Sequence, residues 1–314
     1  MIRYRGLFFD NERWNGFGLR AGDVVVTTPA KCGTTWTQTI CAFLLRGSAE
    51  LGAPLDEISP WFDSLLRPLA EVRNALEDQS GRRIIETHTP LDGLPDVDGV
   101  TYVCVGRDLR DAFSSWDDHI ANVEPSRLLA ARSAAVGLDD LAELFPDGPP
   151  RFPDDRRVRF RAWIDAPLRT PSGAADLNLA LALHHLHGVW MRRGDASVVL
   201  LHYDDLRADL AGVMADLARC LGTDTDPVTL GDLASAASFD RMRTRAADFA
   251  PETTSGIWRE TEAFFRAARS GSWREEFEGS ELDRYAERSR ELAPPDLLDW
   301  IHRDAGRITG RPAD

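Results

Sequence analysis

Four short runs of β-branched and aliphatic residues punctuate the chain, and between them apolar residues recur at helical spacing. The first run, residues 23–28 (DVVVTT), lies between Ala21-Gly22 and Pro29 and predicts a buried strand. Residues 83–87, 100–105 (VTYVCV) and 197–202 (SVVLLH) predict three more. Helical periodicity covers residues 36–45, ending near Gly47, and residues 109–120, 179–193 and 205–221. Residues 50–80 predict helix interrupted by proline. Residues 121–178 are mixed and Pro-rich, with a charged stretch at 154–161 and a loop at 170–174. Beyond Ala246 the chain is acidic and Arg-rich and predicts helical pieces without a strand. Strands alternating with helices predict parallel βαβ units, hence an α/β fold with an open parallel β-sheet flanked by helices on both faces. No repeat and no linker divides the chain, so residues 1–314 are expected to form a single domain, with the Pro-rich middle as a cap or insertion.

Composition narrows the classes. Lys+Arg number 37 against 51 Asp+Glu, a net charge of −14, and the acidity runs along the whole length. That argues against nucleic-acid binding as the main role. No apolar run reaches the roughly 20 residues of a membrane span, and the first ten residues lack a secretory apolar segment. The cysteines, Cys32, Cys41, Cys104 and Cys220, form no CxxC pair and read as reduced thiols, which predicts a cytoplasmic protein. Lysine occurs once, as Lys31; every other Lys/Arg position is arginine. A lone ammonium is a poor candidate for a generic surface charge.

Lys31 stands where the chain leaves the first strand: Pro29-Ala30-Lys31-Cys32-Gly33-Thr34-Thr35-Trp36. A strand, a tight turn and a helix start aim backbone N–H groups and the helix dipole at one spot, which suits a phosphate. Gly33 permits close approach, two threonine hydroxyls add donors, and Lys31 adds charge. The nucleoside-triphosphatase loop places lysine after its second glycine, whereas here lysine precedes Gly33 by two residues. The loop therefore makes the fold P-loop-like without being a standard NTPase loop.

Read with its neighbours, this loop resembles that of the cytosolic-type sulfotransferases, Pro-Lys-Ser-Gly-Thr-Thr-Trp, with Ala30 for proline and Cys32 for serine. A cysteine at a helix start beside a lysine is expected to have a lowered pKa and to be open to oxidation. The family's Lys-Thr-His followed by proline is similar to Glu86-Thr87-His88-Thr89-Pro90, with glutamate in place of lysine. The family's Arg followed by Ser eight residues later is similar to Arg107 and Ser115. Further likenesses are the helix around His184, His185 and His187, the Tyr203-Asp204-Asp205 element, and Ser238-Phe239-Asp240-Arg241-Met242, preceded by Ala237 where the family has threonine. Near the C-terminus Arg266 and Gly271-Ser272-Trp273 match the family's Arg-Lys-Gly and Gly-Asp-Trp, with Ala267-Ala268 replacing Lys-Gly. The likeness spans about residues 20–277, excepting 121–178.

The resemblance implies transfer of a sulfonyl group from 3′-phosphoadenylyl sulfate (PAPS) to a hydroxyl, less readily an amine, with no metal. It implies catalytic roles for His88, as general base, and for Lys31. It implies donor binding by Lys31, Cys32, Gly33, Thr34, Thr35, Trp36, Arg107, Ser115, Tyr203, Phe239, Met242 and Arg266. The acceptor would meet the variable segments 46–80 and 121–178, whose Trp61, Phe62, Phe152 and Trp163, together with Trp116, favour a small lipophilic or phenolic molecule. Glu86 and His88 lie two apart in a strand and so share a face. Glu86 is expected to orient or charge His88 or to receive a cationic acceptor, unless it pairs with Arg82 or Arg83. A metal at the histidine cluster is disfavoured for want of a nearby carboxylate or cysteine. The family's dimerisation motif is not visible, which leaves the oligomeric state open. Two alternatives remain: a P-loop kinase-type phosphotransferase, or a weakly active or inactive nucleotide-binding, regulatory relative.

Overall fold

Valine-rich strands that alternate their side chains between two apolar layers organise the protein. The computed structural model describes residues 1–148, 152–170, 173–251, 256–265 and 270–303. Among these, β1 (Val24–Thr27), β2 (Ile84–Thr87), β3 (Thr101–Gly106) and β4 (Val198–His202) form one parallel sheet in the order β2-β1-β3-β4. Val24 stands opposite both Ile84 and Thr101, and Tyr102 opposite Val198. The two-residue period sends Val25, Ile85, Tyr102 and Cys104 into one core and Val24, Val26, Ile84 and Val103 into the other. Both faces are covered by helices, as the alternation predicts.

Helix Thr34–Arg46 buries Trp36, Ile40 and Phe43 on the second face, together with helix Leu210–Leu221. Helix Leu109–Ala121 buries Leu109, Ala112 and Phe113 on the first face, together with helix Leu179–Met191. The helices that follow the neighbouring strands β1 and β3 thus leave on opposite faces. They open a crevice at the carboxyl ends of those strands, where open α/β sheets bind ligands.

Two predicted helices are revised. Residues 205–221 split into Tyr203–Ala208 and Leu210–Leu221, because Asp209 is non-helical (φ −147°, ψ 73°) and its carboxylate accepts from Gly212 N at 2.9 Å, capping the second helix. Residues 50–80 keep only Leu55–Ile58 and Leu69–Glu77 as helix. Between them Phe62 N donates to Glu86 O (2.9 Å) and Glu86 N to Pro60 O (3.0 Å), so this segment pairs with the outer edge of β2. The Pro-rich middle contains helices Pro125–Val136, Leu141–Leu144 and Arg156–Asp165. Arg83 pairs with Asp23 inside the protein, and Arg82 donates to the Gly22 carbonyl (2.7 Å) and to that of Leu221, so neither arginine is engaged with Glu86. Among the described residues no helix is long and apolar enough to cross a membrane.

Candidate active site

Beyond β1 the chain turns through Lys31 with φ +64°, the single non-glycine residue among those described with a positive φ. Holding an L-residue there costs about 1–2 kcal/mol, a strain that the surrounding contacts sustain. Gly33 has φ +113°, and a Cβ at that position would stand 3.1 Å from the Tyr203 ring. The first helical N–H groups, at Thr34, Thr35 and Trp36, precede any intrahelical acceptor and face the turn. Thr34 and Thr28 share a hydroxyl–hydroxyl hydrogen bond that ties the helix start to the end of the strand. From the end of β3, Arg107 reaches across the crevice: its Nη1 donates to Lys31 O at 2.9 Å and its guanidinium lies 4.3 Å from the centre of the Tyr203 ring.

Lys31 Nζ donates to His119 Nδ1 (3.3 Å) and lies 4.7 Å from the centre of the Phe264 ring. Burial and then the Arg107 charge push its pKa down to about 8, against the pull of the Glu86 carboxylate. Burial and the neighbouring Lys31 hold His119 well below the ordinary imidazole range, so it stays a neutral acceptor. His119 was not singled out in the sequence. Its spacing, one helical turn beyond Ser115, is the signal that points to it. Cys32 corrects an expectation: it is fully buried, and desolvation pushes its thiol up to about 12 rather than down.

The aromatic residues of the expected donor site converge. Trp36 Nε1 donates to Ala237 O (2.8 Å), and its ring meets Tyr203 at 5.6 Å and Phe239 at 6.4 Å, both edge-on. Met242 is buried in the same cluster. Ser115 is half-buried on helix Leu109–Ala121. Arg266 and Ala267–Ala268 lie outside the described residues. The Gly-x-Trp element docks on the start of that helix: Asp111 accepts from Gly271 N (2.6 Å) and Ser272 Oγ (2.9 Å), and Trp273 Nε1 donates to Asp108 at 3.1 Å.

Across the crevice, β2 delivers His88. Its Nδ1 lies 2.8 Å from Thr28 O. A carbonyl only accepts, so Nδ1 carries the proton and Nε2 is left as the lone-pair nitrogen. Burial pushes the His88 pKa below the ordinary value, partly offset by the Thr28 carbonyl and Asp63. The buried Asp63 Oδ2 accepts from Thr87 Oγ1 and Thr89 Oγ1, each at 2.6 Å, and from Trp14 Nε1 at 3.2 Å, which pins the residues on either side of His88. Glu86 shares the face as expected: its Oε1 lies 3.9 Å from His88 Nε2, and its Oε2 accepts from Gln38 Nε2 at 3.0 Å.

His88 lines a pocket with Ala30, Leu109, Trp116, Trp163 and His185, whose open core of about 20 Å³ has room for roughly one water. Trp61 sets its ring edge-on to His88 at 5.1 Å. Phe62 instead packs in the core against Trp14 and Phe17, and Phe152 is 65% exposed, so neither joins the pocket. The histidine cluster does have a carboxylate beside it, contrary to expectation: His184 Nε2 lies 2.9 Å from Asp92 and 2.8 Å from Tyr4 Oη. Those three form a hydrogen-bonded set, and among the described residues no group of three or more His, Cys, Asp or Glu side chains is arranged to hold a metal.

An anion cradle facing a histidine lone pair across a crevice is the layout of a group-transfer site. The profile of the sulfotransferase domain matches residues 21–293. A glycolipid sulfotransferase of Mycobacterium bovis is 42% identical over 100% of this chain and 97% of its own length. That of Mycobacterium tuberculosis is 43% identical over 100% and 97%. Among solved structures, retinol dehydratase in complex with androsterone and the inactive cofactor PAP superimposes with a TM-score of 0.66 at 19% identity, covering 91% of this chain and 86% of that one. A mouse sulfotransferase complexed with PAP gives 0.64 at 13% identity, covering 96% and 100%. The chain belongs to the sulfotransferase family, enzymes that transfer a sulfo group. The kinase-type alternative is thereby set aside.

Proposed function

We propose that the protein transfers the sulfo group of PAPS to a hydroxyl of a lipid-linked sugar, with His88 as general base. The observation that carries this reading is the His88 tautomer: Thr28 O fixes Nδ1–H, which presents Nε2 as the proton acceptor beside the Lys31 loop. The mycobacterial relatives named as glycolipid sulfotransferases, matched along the whole chain, support the acceptor class. The solved relatives containing PAP support the donor class.

The residues fit such a donor. Gly33 takes a positive φ and sits so close to the Tyr203 ring that a Cβ there would be crowded, so glycine lets the turn hold its shape, and Arg107 stands beside it with a planar fork suited to phosphate. Cys32, Gly33, Thr34 and Thr35 would hold the 5′-phosphosulfate through the turn and the helix start. Arg107 and Ser115, with Arg266, would hold the 3′-phosphate; Trp36, Tyr203, Phe239 and Met242 would flank the adenine. When bound, the donor supplies a sulfo group already activated on a phosphate leaving group. His88 Nε2 takes the proton of the attacking hydroxyl. Lys31 places positive charge where negative charge develops, a contribution of the kind worth about 10²–10³ in rate. Segments 46–80 and 121–178 would form the acceptor side, since Trp61 comes from the first and Trp163 from the second.

The test is a labelled-PAPS assay across glycolipids, sterols and phenols. His88→Ala should lower kcat by about 10²–10⁴ while leaving PAP binding intact. A variant that keeps the wild-type rate would falsify the base assignment.

A further inference from the structure

We propose that His119 is a positioning residue for sulfo transfer: its Nδ1 lone pair, held within an aromatic sleeve, keeps the Lys31 ammonium at the junction of the anion cradle and the pocket of His88. This deepens the reading above and rests on it for the reaction.

Lysine carries its charge on a flexible four-carbon stem, so its ammonium stands where its partners put it. The Lys31 stem leaves the turn of the cradle, and its Nζ donates to His119 Nδ1 at 3.3 Å. An ammonium only donates, so Nδ1 is the lone-pair nitrogen of His119 and the ring proton sits on Nε2. The ring is fixed by three others. Trp116, on the same helix Leu109–Ala121, stacks on it at 5.6 Å and 22°, while Trp258 and Phe264 meet it edge-on at 4.8 and 5.8 Å. Phe264 also stands 4.7 Å from Lys31 Nζ, so one ring braces both partners of the hydrogen bond. Trp258 is tied down in turn. Its Nε1 donates to Pro251 O (2.6 Å), and its neighbours pair with the residues after the helix, Glu124 N donating to Ile257 O (2.8 Å) and Arg259 N to Asn122 O (2.9 Å).

Placement gives this contact its consequence. Trp116 lines the same pocket as His88, so the wall that holds His119 is shared with the acceptor side, while the Lys31 backbone belongs to the cradle. The other charged and titratable groups facing the ammonium are Arg107, which repels it, Glu86, which attracts it, and His88, whose own cation Lys31 disfavours. Burial, with Lys31 and His88 beside it, keeps His119 neutral, hence an acceptor and not a competing cation. A phenyl ring in its place would pack in the same sleeve and offer the ammonium no lone pair. Misplacing a catalytic group by about 1 Å can cost about a hundredfold in rate, so a charge on a flexible stem needs such a holder.

Lysine occurs once, so isotope-labelled lysine gives the full chain a single Cε signal in the NMR spectrum, whose pH titration reads the Lys31 midpoint without any substrate. In the wild type that midpoint should lie at about 8. His119→Phe keeps a ring and removes the lone pair. Its midpoint should fall by about one pH unit, as loss of a hydrogen bond to a charged group implies, and kcat with PAPS should fall about tenfold at unchanged acceptor KM. His119→Asn, whose amide oxygen can take the place of Nδ1, should retain most of both. In each variant the alkaline limb of kcat/KM should move with the NMR midpoint, a shift that a merely structural role would not produce. Thermal unfolding verifies that both variants fold. A midpoint in His119→Phe equal to that of the wild type overturns the proposal, as does a lowered midpoint accompanied by wild-type kcat. If the wild type transfers no sulfo group from PAPS to any hydroxylic acceptor, the sulfotransfer reading falls, and the midpoint series, which needs no donor, still decides whether His119 holds Lys31.

Discussion

At the scale of single residues, the proposed donor loop is poised electrostatically. In the proposed reaction Lys31 must be cationic and His88 neutral. Lys31 has a pKa near 8, so kcat/KM for the donor should fall as pH rises through about 8; His88 lies below its ordinary value, so the acid limb should fall below about 6.5. The donor is anionic and restores the Lys31 pKa on binding, so the alkaline limb of kcat should lie higher than that of kcat/KM. A Lys31→Ala enzyme should lose the alkaline limb altogether, and pH–rate profiles of both forms measure this. The thiols give a second prediction. Cys32, Cys41 and Cys104 are buried with raised pKa values while Cys220 is exposed, so a thiol reagent should modify one cysteine in the folded protein and four after denaturation, as read by intact mass. The sequence makes Lys31 and His88 visible through their types and positions. It misplaces Cys32, because a helix start suggests a thiolate only when water or an ion pair can share the charge.

At the scale of elements, the site is assembled by clamps between distant segments. Asp63 holds Thr87 and Thr89 of the β2 end, and Asp111 holds the Gly271–Trp273 turn against the helix that follows β3. Asp111→Ala removes two charge-assisted bonds and should cost about 1.5–3 kcal/mol in stability, with faster amide exchange at residues 270–273 and weaker PAP binding. Exchange mass spectrometry together with a PAP titration tests it; unaltered exchange in that turn sinks the assignment. The strands were legible because β-branched runs and their bounding turns are local signals. Asp63, Asp111 and His119 were not: each acts through partners 24 to 162 residues away, and an acidic residue in a chain full of them carries no mark of burial. The helix expected at 205–221 failed for a local reason instead, since Asp209 serves better as a cap than as an interior residue.

At the scale of the whole molecule, a body with net charge −14 is proposed to bind a polyanionic donor. The contradiction is resolved by placement: Lys31, Arg107 and the helix start gather at the crevice between β1 and β3, where two neighbouring strands send their helices to opposite faces. Strand order and crevice follow from long-range pairing, which the alternation of elements foretells as a class but not as a particular arrangement. The solitary lysine carries a practical consequence. Amine-directed reagents attack the unprotonated form, and an amine with a pKa near 8 is substantially unprotonated under mildly alkaline conditions, where ordinary lysines are not. In this protein the side-chain amine that such a reagent can acylate is Lys31 alone, so one covalent tag, localised by peptide mapping apart from the α-amino terminus, would report on the proposed donor loop. Saturating PAP should shield it. On that reading the molecule carries a single-site occupancy probe that needs no engineering.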